Sequence, residues 1–194
     1  MAVVQLGGHP IYVRPDEVGI DERETAEDLA RVLSQYHAAI CGRVFDHGVL
    51  ERMAGAGSVP VVNLLSDTGH PLQAIADLLT MEAHGGLAGR RLAWVGDFSN
   101  VARSLALGCA LVDVDVVVAC PEGYGPSPAD VARVEALGGT IEVRGDPRDA
   151  VTDAHVVTTD AWYSMGQEAE AAARRPIFGP YRVDAALMDR AADD

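Results

Sequence analysis

SDTGHPLQAIADLLT, residues 66–80, is the stretch on which the reading of this chain turns. It follows an apolar run, 59–65, that reads as a buried strand. The chain then bends at Gly69 and opens a helix with Pro71 at its first position, where a missing N–H does no harm. His70 and Gln73 are thereby placed at a helix N-terminus beyond the carboxyl end of a strand, where open α/β sheets bind ligands. Free backbone N–H groups at such a terminus favour anions and polarised carbonyls. His70 can donate a hydrogen bond, and the Gln73 amide can both donate and accept. The same residues also fit a plain turn, with His70 capping it and Gln73 a solvated helix residue.

The flanking segments repeat the pattern of strand, turn and helix. Upstream, 10–13 is a short apolar run expected to be a strand, and the polar stretch 18–24 reads as a loop. From Thr25 the apolar positions Ala26, Leu29, Ala30, Val32, Leu33 and Tyr36 have helical spacing. A strand over 38–44 carries Arg43 at its carboxyl end, and 48–55 is a short helix. Downstream, strands are expected at 91–96, 114–120, 140–144 and 155–159. Helices are expected at 100–112, 128–137, 147–151, 167–174 and 184–192, with 176–181 extended. The run 114–120 is apolar enough to be buried on both faces, as parallel strands are. This alternation predicts an α/β fold of parallel sheets flanked by helices. The helix 71–83 and the glycine-rich turn after it separate a first domain, 1–80, from a second, 81–194.

Composition narrows the function classes. The chain has 194 residues, 48% of them hydrophobic, and a net charge of -14. Such acidity argues against nucleic acid and anionic membranes as partners. All 15 basic residues are arginine, which excludes a P-loop lysine, a pyridoxal Schiff base and a lysine general base. The three cysteines, Cys41, Cys109 and Cys120, have no paired spacing and are expected as reduced core residues. No basic signal-peptide start is present, and Asp113 and Asp115 interrupt the longest apolar tract, so a cytoplasmic protein is expected. The histidines have no metal-ligand spacing, so no metal is expected. Ser104 and the other serines lack a nucleophile elbow.

Three further sets follow strands. The turn 96–100, GDFSN, resembles a dinucleotide fingerprint only loosely, since the further glycines are missing and Phe98 would obstruct a pyrophosphate. Its Asn100 stands where a helix N-cap belongs. Asp160 and Ser164 follow the strand at 155–159, where Asp can hold an ammonium group and Ser a polar head, or both can shape a turn. Arg43 suits an anion or a carbonyl oxygen, or a surface ion pair.

Taken in order and spacing, QLGGHPIYV (5–13), TAEDLARVLSQY (25–36), Arg43, HPLQAIADLLT (70–80), VGDFSNVARSL (95–105) and DAWYSMGQE (160–168) resemble the aspartate/ornithine transcarbamoylase family. The SMGQE loop places the resemblance on the ornithine side. It implies a trimer of two-domain subunits, the first domain binding carbamoyl phosphate and the second ornithine. By the same resemblance Arg43, His70 and Gln73 hold carbamoyl phosphate, with Arg43 and His70 on its carbonyl oxygen. Asn100 then holds the ornithine α-carboxylate. Asp160 holds its α-ammonium, assisted by Ser164 and the Met165 backbone, and the 18–24 loop reaches a neighbouring subunit. The family's phosphate loop, Ser-x-Arg-Thr-Arg, and its His-Cys-Leu-Pro motif fall outside these 194 residues, so the chain reads as the middle of a transcarbamoylase. Three functions are compatible with this reading. One is carbamoyl transfer to ornithine in arginine metabolism. Another is a non-catalytic fragment or paralogue that binds an amino acid or a partner subunit. The last is carbamoyl transfer to another amine or amino acid.

Overall fold

The computed structural model describes residues 1–163, 166 and 168–192. The chain divides into two compact units, Met1–Val62 and Asn63–Asp194. The first contains α1 (Ala2–Gln5), α2 (Pro15–Val18), α3 (Ala26–Leu33), β1 (Ile40–Arg43) and α4 (His47–Ala56); the division itself falls within β2 (Val61–Leu65). The second continues with α5 (Pro71–Ala83), β3 (Arg91–Val95), α6 (Asn100–Leu111), β4 (Asp115–Ala119), α7 (Pro128–Glu135) and β5 (Ile141–Arg144). It ends with α8 (Pro147–Val151), β6 (Val156–Thr158), α9 (Ala171–Phe178) and α10 (Ala185–Met188).

In the first unit α3 starts where the spacing places it, because the Thr25 hydroxyl accepts from Asp28 N–H at 3.1 Å. Its apolar face, Ala26, Leu29 and Ala30, packs with Ile40 of β1 and with Val49 and Met53 of α4. Gly42 leaves room for Leu50 of α4 beside β1, where a Cβ would collide with the Leu50 side chain. The 18–24 loop is anchored by Arg52, whose guanidinium pairs with Asp21 and, at 3.4 Å, with Glu27. Residues 10–13 are exposed coil rather than a strand. An apolar run becomes a strand only when a neighbour takes up its backbone hydrogen bonds, and no described strand pairs with this one.

The second unit is built on a parallel sheet in the order β5-β4-β3-β6. Alternation along β3 and β4 assigns their side chains to two layers. Leu92, Trp94, Val116 and Val118 join Ala74 and Met81 of α5, Leu105 and Cys109 of α6 and Val134 of α7 in one core. On the opposite face Ala93 and Val95 pack with Val151 of α8 and Leu187 of α10, and Val117 and Ala119 with Ala150. Helices thus cover both faces, as the alternation predicts. The chain steps from β3 out to β5 and then returns to place β6 on the other side of β3. The carboxyl ends of β3 and β6 therefore flank a topological switch point, where the exits of neighbouring strands diverge and leave a crevice.

Two further expectations change. Residues 176–181 are not extended: α9 runs through Pro176 to Phe178, and a 3-10 turn follows over Gly179–Tyr181. Proline in a helix interior removes a hydrogen bond and costs about 3 kcal/mol, but the helix is retained because Phe178 is fully buried, edge-on to Tyr124 at 4.8 Å. Cys41 is exposed, whereas Cys109 and Cys120 are buried. β1 is a short strand whose alternate side chains face solvent. Burial pushes the Cys109 thiol up to about 12, with a small addition from Asp77, and does the same to Cys120, helped by the charge of Asp97. At about pH 8, near the ordinary thiol pKa, iodoacetamide is expected to label Cys41 alone in the native chain and all three cysteines after denaturation. Intact mass gives the count.

Candidate functional site

The turn 66–70 is held from two directions within the second unit. On β2, Asn63 donates its amide to Ser66 Oγ at 3.1 Å and to the Gly69 carbonyl at 3.4 Å. Ser66 is fully buried, and its N–H donates to the Gly69 carbonyl at 2.8 Å. From α6, Asn100 Nδ2 donates to the Ser66 carbonyl at 2.6 Å, and Ser104 Oγ accepts from His70 N–H at 2.8 Å. His70 is the N-cap of α5 by its backbone, and no hydrogen bond from its side chain caps the helix. The helix N-terminus is thereby left to other acceptors. Gln73 is exposed on the first turn, and its amide donates to Asp77 at 2.8 Å.

The loop after β3 begins at Gly96, whose φ of +127° lies where side chains are strained and which donates its N–H to the Ala119 carbonyl at 2.9 Å. Ser99, not Asn100, occupies the N-cap of α6. One residue of difference turns the Asn100 amide onto the Ser66 carbonyl and leaves Ser99 Oγ facing Asp160 Oδ2, a long contact at 3.4 Å. Phe98 is 3% exposed and belongs to the core, so its ring does not stand over the helix N-terminus. The exits of β3 and β6 are joined by Thr159, whose hydroxyl donates to the Val95 carbonyl at 2.7 Å. Asp160 is exposed, with Oδ1 accepting from Ala161 N–H at 2.7 Å.

The start of α6 accordingly meets both neighbouring turns: Ser104 holds the His70 backbone, Asn100 holds the Ser66 carbonyl, and the N-cap Ser99 faces Asp160. Arg43 belongs to the other compact unit, exposed at the last position of β1 and without an ion-pair partner among the described residues. Ser164 and Met165 lie outside the described residues. Among the described residues no group of three or more His, Cys, Asp and Glu is placed to hold a metal ion, and no helix is long and apolar enough to cross a membrane.

Residues not marked by motif complete the arrangement. Arg174 of α9 is 6% exposed. Its guanidinium reaches Asp97 at 2.6 Å, Glu170 at 2.9 Å and the Trp162 carbonyl at 3.1 Å. It lies 5.0 Å from the Tyr124 ring centroid. Burial opposes its charge, but hydrogen bonds to the Glu170 and Asp97 carboxylates outweigh that and hold its pKa above the ordinary arginine value. Spacing alone shows only a surface-type i,i+4 pair with Glu170; nothing in it marks a buried cation. Asn63 also escapes the motifs; its one signal is that it is a polar residue inside an apolar run. Its Oδ1 is buried without a hydrogen-bond partner among the described residues.

The carbamoyl-P binding domain of aspartate/ornithine carbamoyltransferase matches residues 1–83, and the Asp/Orn binding domain of the same family matches 88–194. An ornithine carbamoyltransferase of Acidothermus cellulolyticus is 51% identical over 201 residues, which cover 100% of this chain and 64% of that protein. An anabolic ornithine carbamoyltransferase of Pseudomonas aeruginosa is 44% identical, over 99% of this chain and 62% of its own length. The solved ornithine carbamoyltransferase of Pyrococcus furiosus superposes with a TM-score of 0.92 at 44% identity, covering 99% of this chain and 63% of the other. That of Thermus thermophilus gives 0.87 at 40% identity, covering 99% and 63%. The chain thus spans about 64% of the length of the Acidothermus protein it matches.

Removing a buried cation while its carboxylates remain is strongly destabilising, typically by ~3–5 kcal/mol. Arg174→Leu is expected to lower the free energy of urea unfolding by about that amount. Arg31→Ala, which breaks an exposed i,i+3 pair with Asp28, is expected to change it by no more than ~0.5 kcal/mol.

Proposed function

This chain belongs to the aspartate/ornithine carbamoyltransferase family, and we propose that it transfers the carbamoyl group of carbamoyl phosphate to the δ-amine of ornithine, giving citrulline and phosphate. The single observation that carries the reading is that the start of α6 meets both the turn bearing His70 and the turn bearing Asp160, in a chain that both family domains match.

In this reading Arg43, His70 and Gln73 bind carbamoyl phosphate. The neutral δ-amine attacks the carbamoyl carbon; the C–N bond forms, the C–O bond to phosphate breaks, and the amine proton leaves with phosphate. Negative charge grows on the carbonyl oxygen, where Arg43 and His70 donate. One such preorganised donor is worth ~3 kcal/mol. Asn100 holds the α-carboxylate, since its amide carries a second N–H beyond the one on Ser66. Asp160 holds the α-ammonium, with Ser164 and the Met165 backbone beside it. Gripping both substrates supplies proximity, and no cofactor takes part.

The same proposal assigns residues 1–80 to carbamoyl phosphate and 81–194 to ornithine, close to the bounds of the two matching family domains. It also places the protein in arginine biosynthesis, in the cytoplasm, as a homo-oligomer. The anabolic designation of a relative supports the pathway, and the family resemblance supports a trimer. Light scattering is expected to give three times the 20.4 kDa of one chain.

The decisive assay is citrulline formation by the purified chain of verified mass. His70→Ala is expected to lower kcat by about 10²- to 10³-fold. Asp160→Asn is expected to raise the KM for ornithine by about 10- to 100-fold, the usual effect of weakening a charge-assisted hydrogen bond. It leaves turnover of an amine without an α-ammonium unchanged. Absence of citrulline from the wild-type chain overturns the proposed activity. An equal loss with both amines overturns the role of Asp160.

A further inference from the structure

Asn100 and Ser104 stand one turn apart on α6, and both meet the turn that ends in His70. Asn100 grips the carbonyl at its start, Ser66, at 2.6 Å. Ser104 accepts the N–H at its end, His70, at 2.8 Å. The approach is close along the whole contact. A Cβ on Gly69 would lie 3.4 Å from Ser104 Oγ, and one turn further on, a Cβ on Gly108 would lie 2.9 Å from the Leu78 side chain of α5. Small residues at 104 and 108 therefore let α6 lie directly against α5 and reach the N–H of its N-cap residue, His70.

We propose that Ser104 is a positioning residue for carbamoyl transfer, fixing the His70 backbone so that the imidazole is presented to carbamoyl phosphate. The inference rests on the reading of His70 given above. His70 has non-helical dihedrals, φ -135° and ψ 67°, and makes no side-chain capping bond. The backbone at Cα fixes the point and the bond direction from which its side chain starts. The Ser104 hydroxyl joins that backbone to α6, whose Leu105 and Cys109 are anchored in the core. A helix seated in the core transmits its rigidity through one short hydrogen bond. Misplacement of a catalytic donor by about 1 Å is enough to lower the rate by ~10²-fold. The serine has no nucleophilic part in this scheme; its hydroxyl oxygen acts as an acceptor.

The test compares wild type, Ser104→Ala and Ser104→Thr; the threonine keeps an acceptor oxygen. Two readouts are taken: amide hydrogen exchange at His70 without substrate, and steady-state kinetics with each substrate varied. If Ser104 positions His70, Ser104→Ala speeds exchange at His70 and lowers kcat/KM for carbamoyl phosphate by about ten-fold or more. The KM for ornithine stays in place, the melting temperature changes little, and Ser104→Thr recovers most of the loss. Unchanged kinetics in Ser104→Ala, or equal losses for both substrates without recovery by threonine, overturn the proposal and leave Ser104 as a packing residue. If the wild-type chain forms no citrulline, the functional reading fails by itself. Calorimetric titration with carbamoyl phosphate then decides the positioning claim. Binding weakened about ten-fold in Ser104→Ala supports it, and equal or absent binding overturns it.

Discussion

One buried guanidinium, that of Arg174, ties together the loops at the carboxyl ends of β3 and β6 in the second unit. Arg174 reaches Asp97 in the loop after β3, the Trp162 carbonyl in the loop after β6, and Glu170 on its own side of the chain. Taking an arginine out of water costs several kcal/mol, which only well-placed carboxylates and carbonyls offset. The arrangement is therefore close to all-or-none: the cation is tolerated because both loops come to it, and the loops adopt their paths because the cation needs them. Trp162 stacks on Phe178 at 6.2 Å, Tyr124 meets Phe178 edge-on at 4.8 Å, and the guanidinium lies over the Tyr124 ring at 5.0 Å. The same Asp97 charge reaches Cys120 behind the loop and adds to the upward push on its thiol.

Strand order explains why those two loops are neighbours. β6 returns to the free side of β3, so Asp160 and the Ser99–Asn100 pair leave the sheet side by side. Thr159 secures the junction by donating to Val95 O at 2.7 Å. Asn100 and Ser104 then carry the order across α6 to the turn before α5. Three strand exits that are far apart in the chain, after residues 65, 95 and 158, are thus tied into one polar assembly. Within the second unit α6 carries Asn100 and also holds the backbone of His70, so these two proposed ligands rest on one helix.

Much of this was legible from local pattern. The helix Pro71–Ala83 follows from its proline start and apolar spacing, and its bounds agree with the expectation residue for residue. The buried strand β4 follows from an unbroken run of valines, four of its five residues being buried. Local pattern failed where a distant contact overruled it. Pro176 reads as a helix stop, but the fully buried Phe178 two residues on keeps the helix going. Residues 10–13 read as a strand, but a strand needs a partner that sequence spacing does not reveal. Asn100 fits a cap by residue type, yet Ser99 takes that place, and the asparagine amide serves a carbonyl 34 residues upstream.

The sequence by itself determined the α/β alternation, the strand-exit positions of Arg43, His70, Asn100 and Asp160, and the absence of any lysine chemistry. These depend on residue type and on periods of two and 3.6, which are local properties of a chain. Only the tertiary structure decided that β6 lies beside β3, that Arg174 is buried between two loops, and that Ser104 holds the His70 backbone. Each of these is a pairing across tens of residues. A hydrogen bond or an ion pair acts over a few ångströms in space, whatever the separation in sequence, so its partner is chosen by packing and not by spacing.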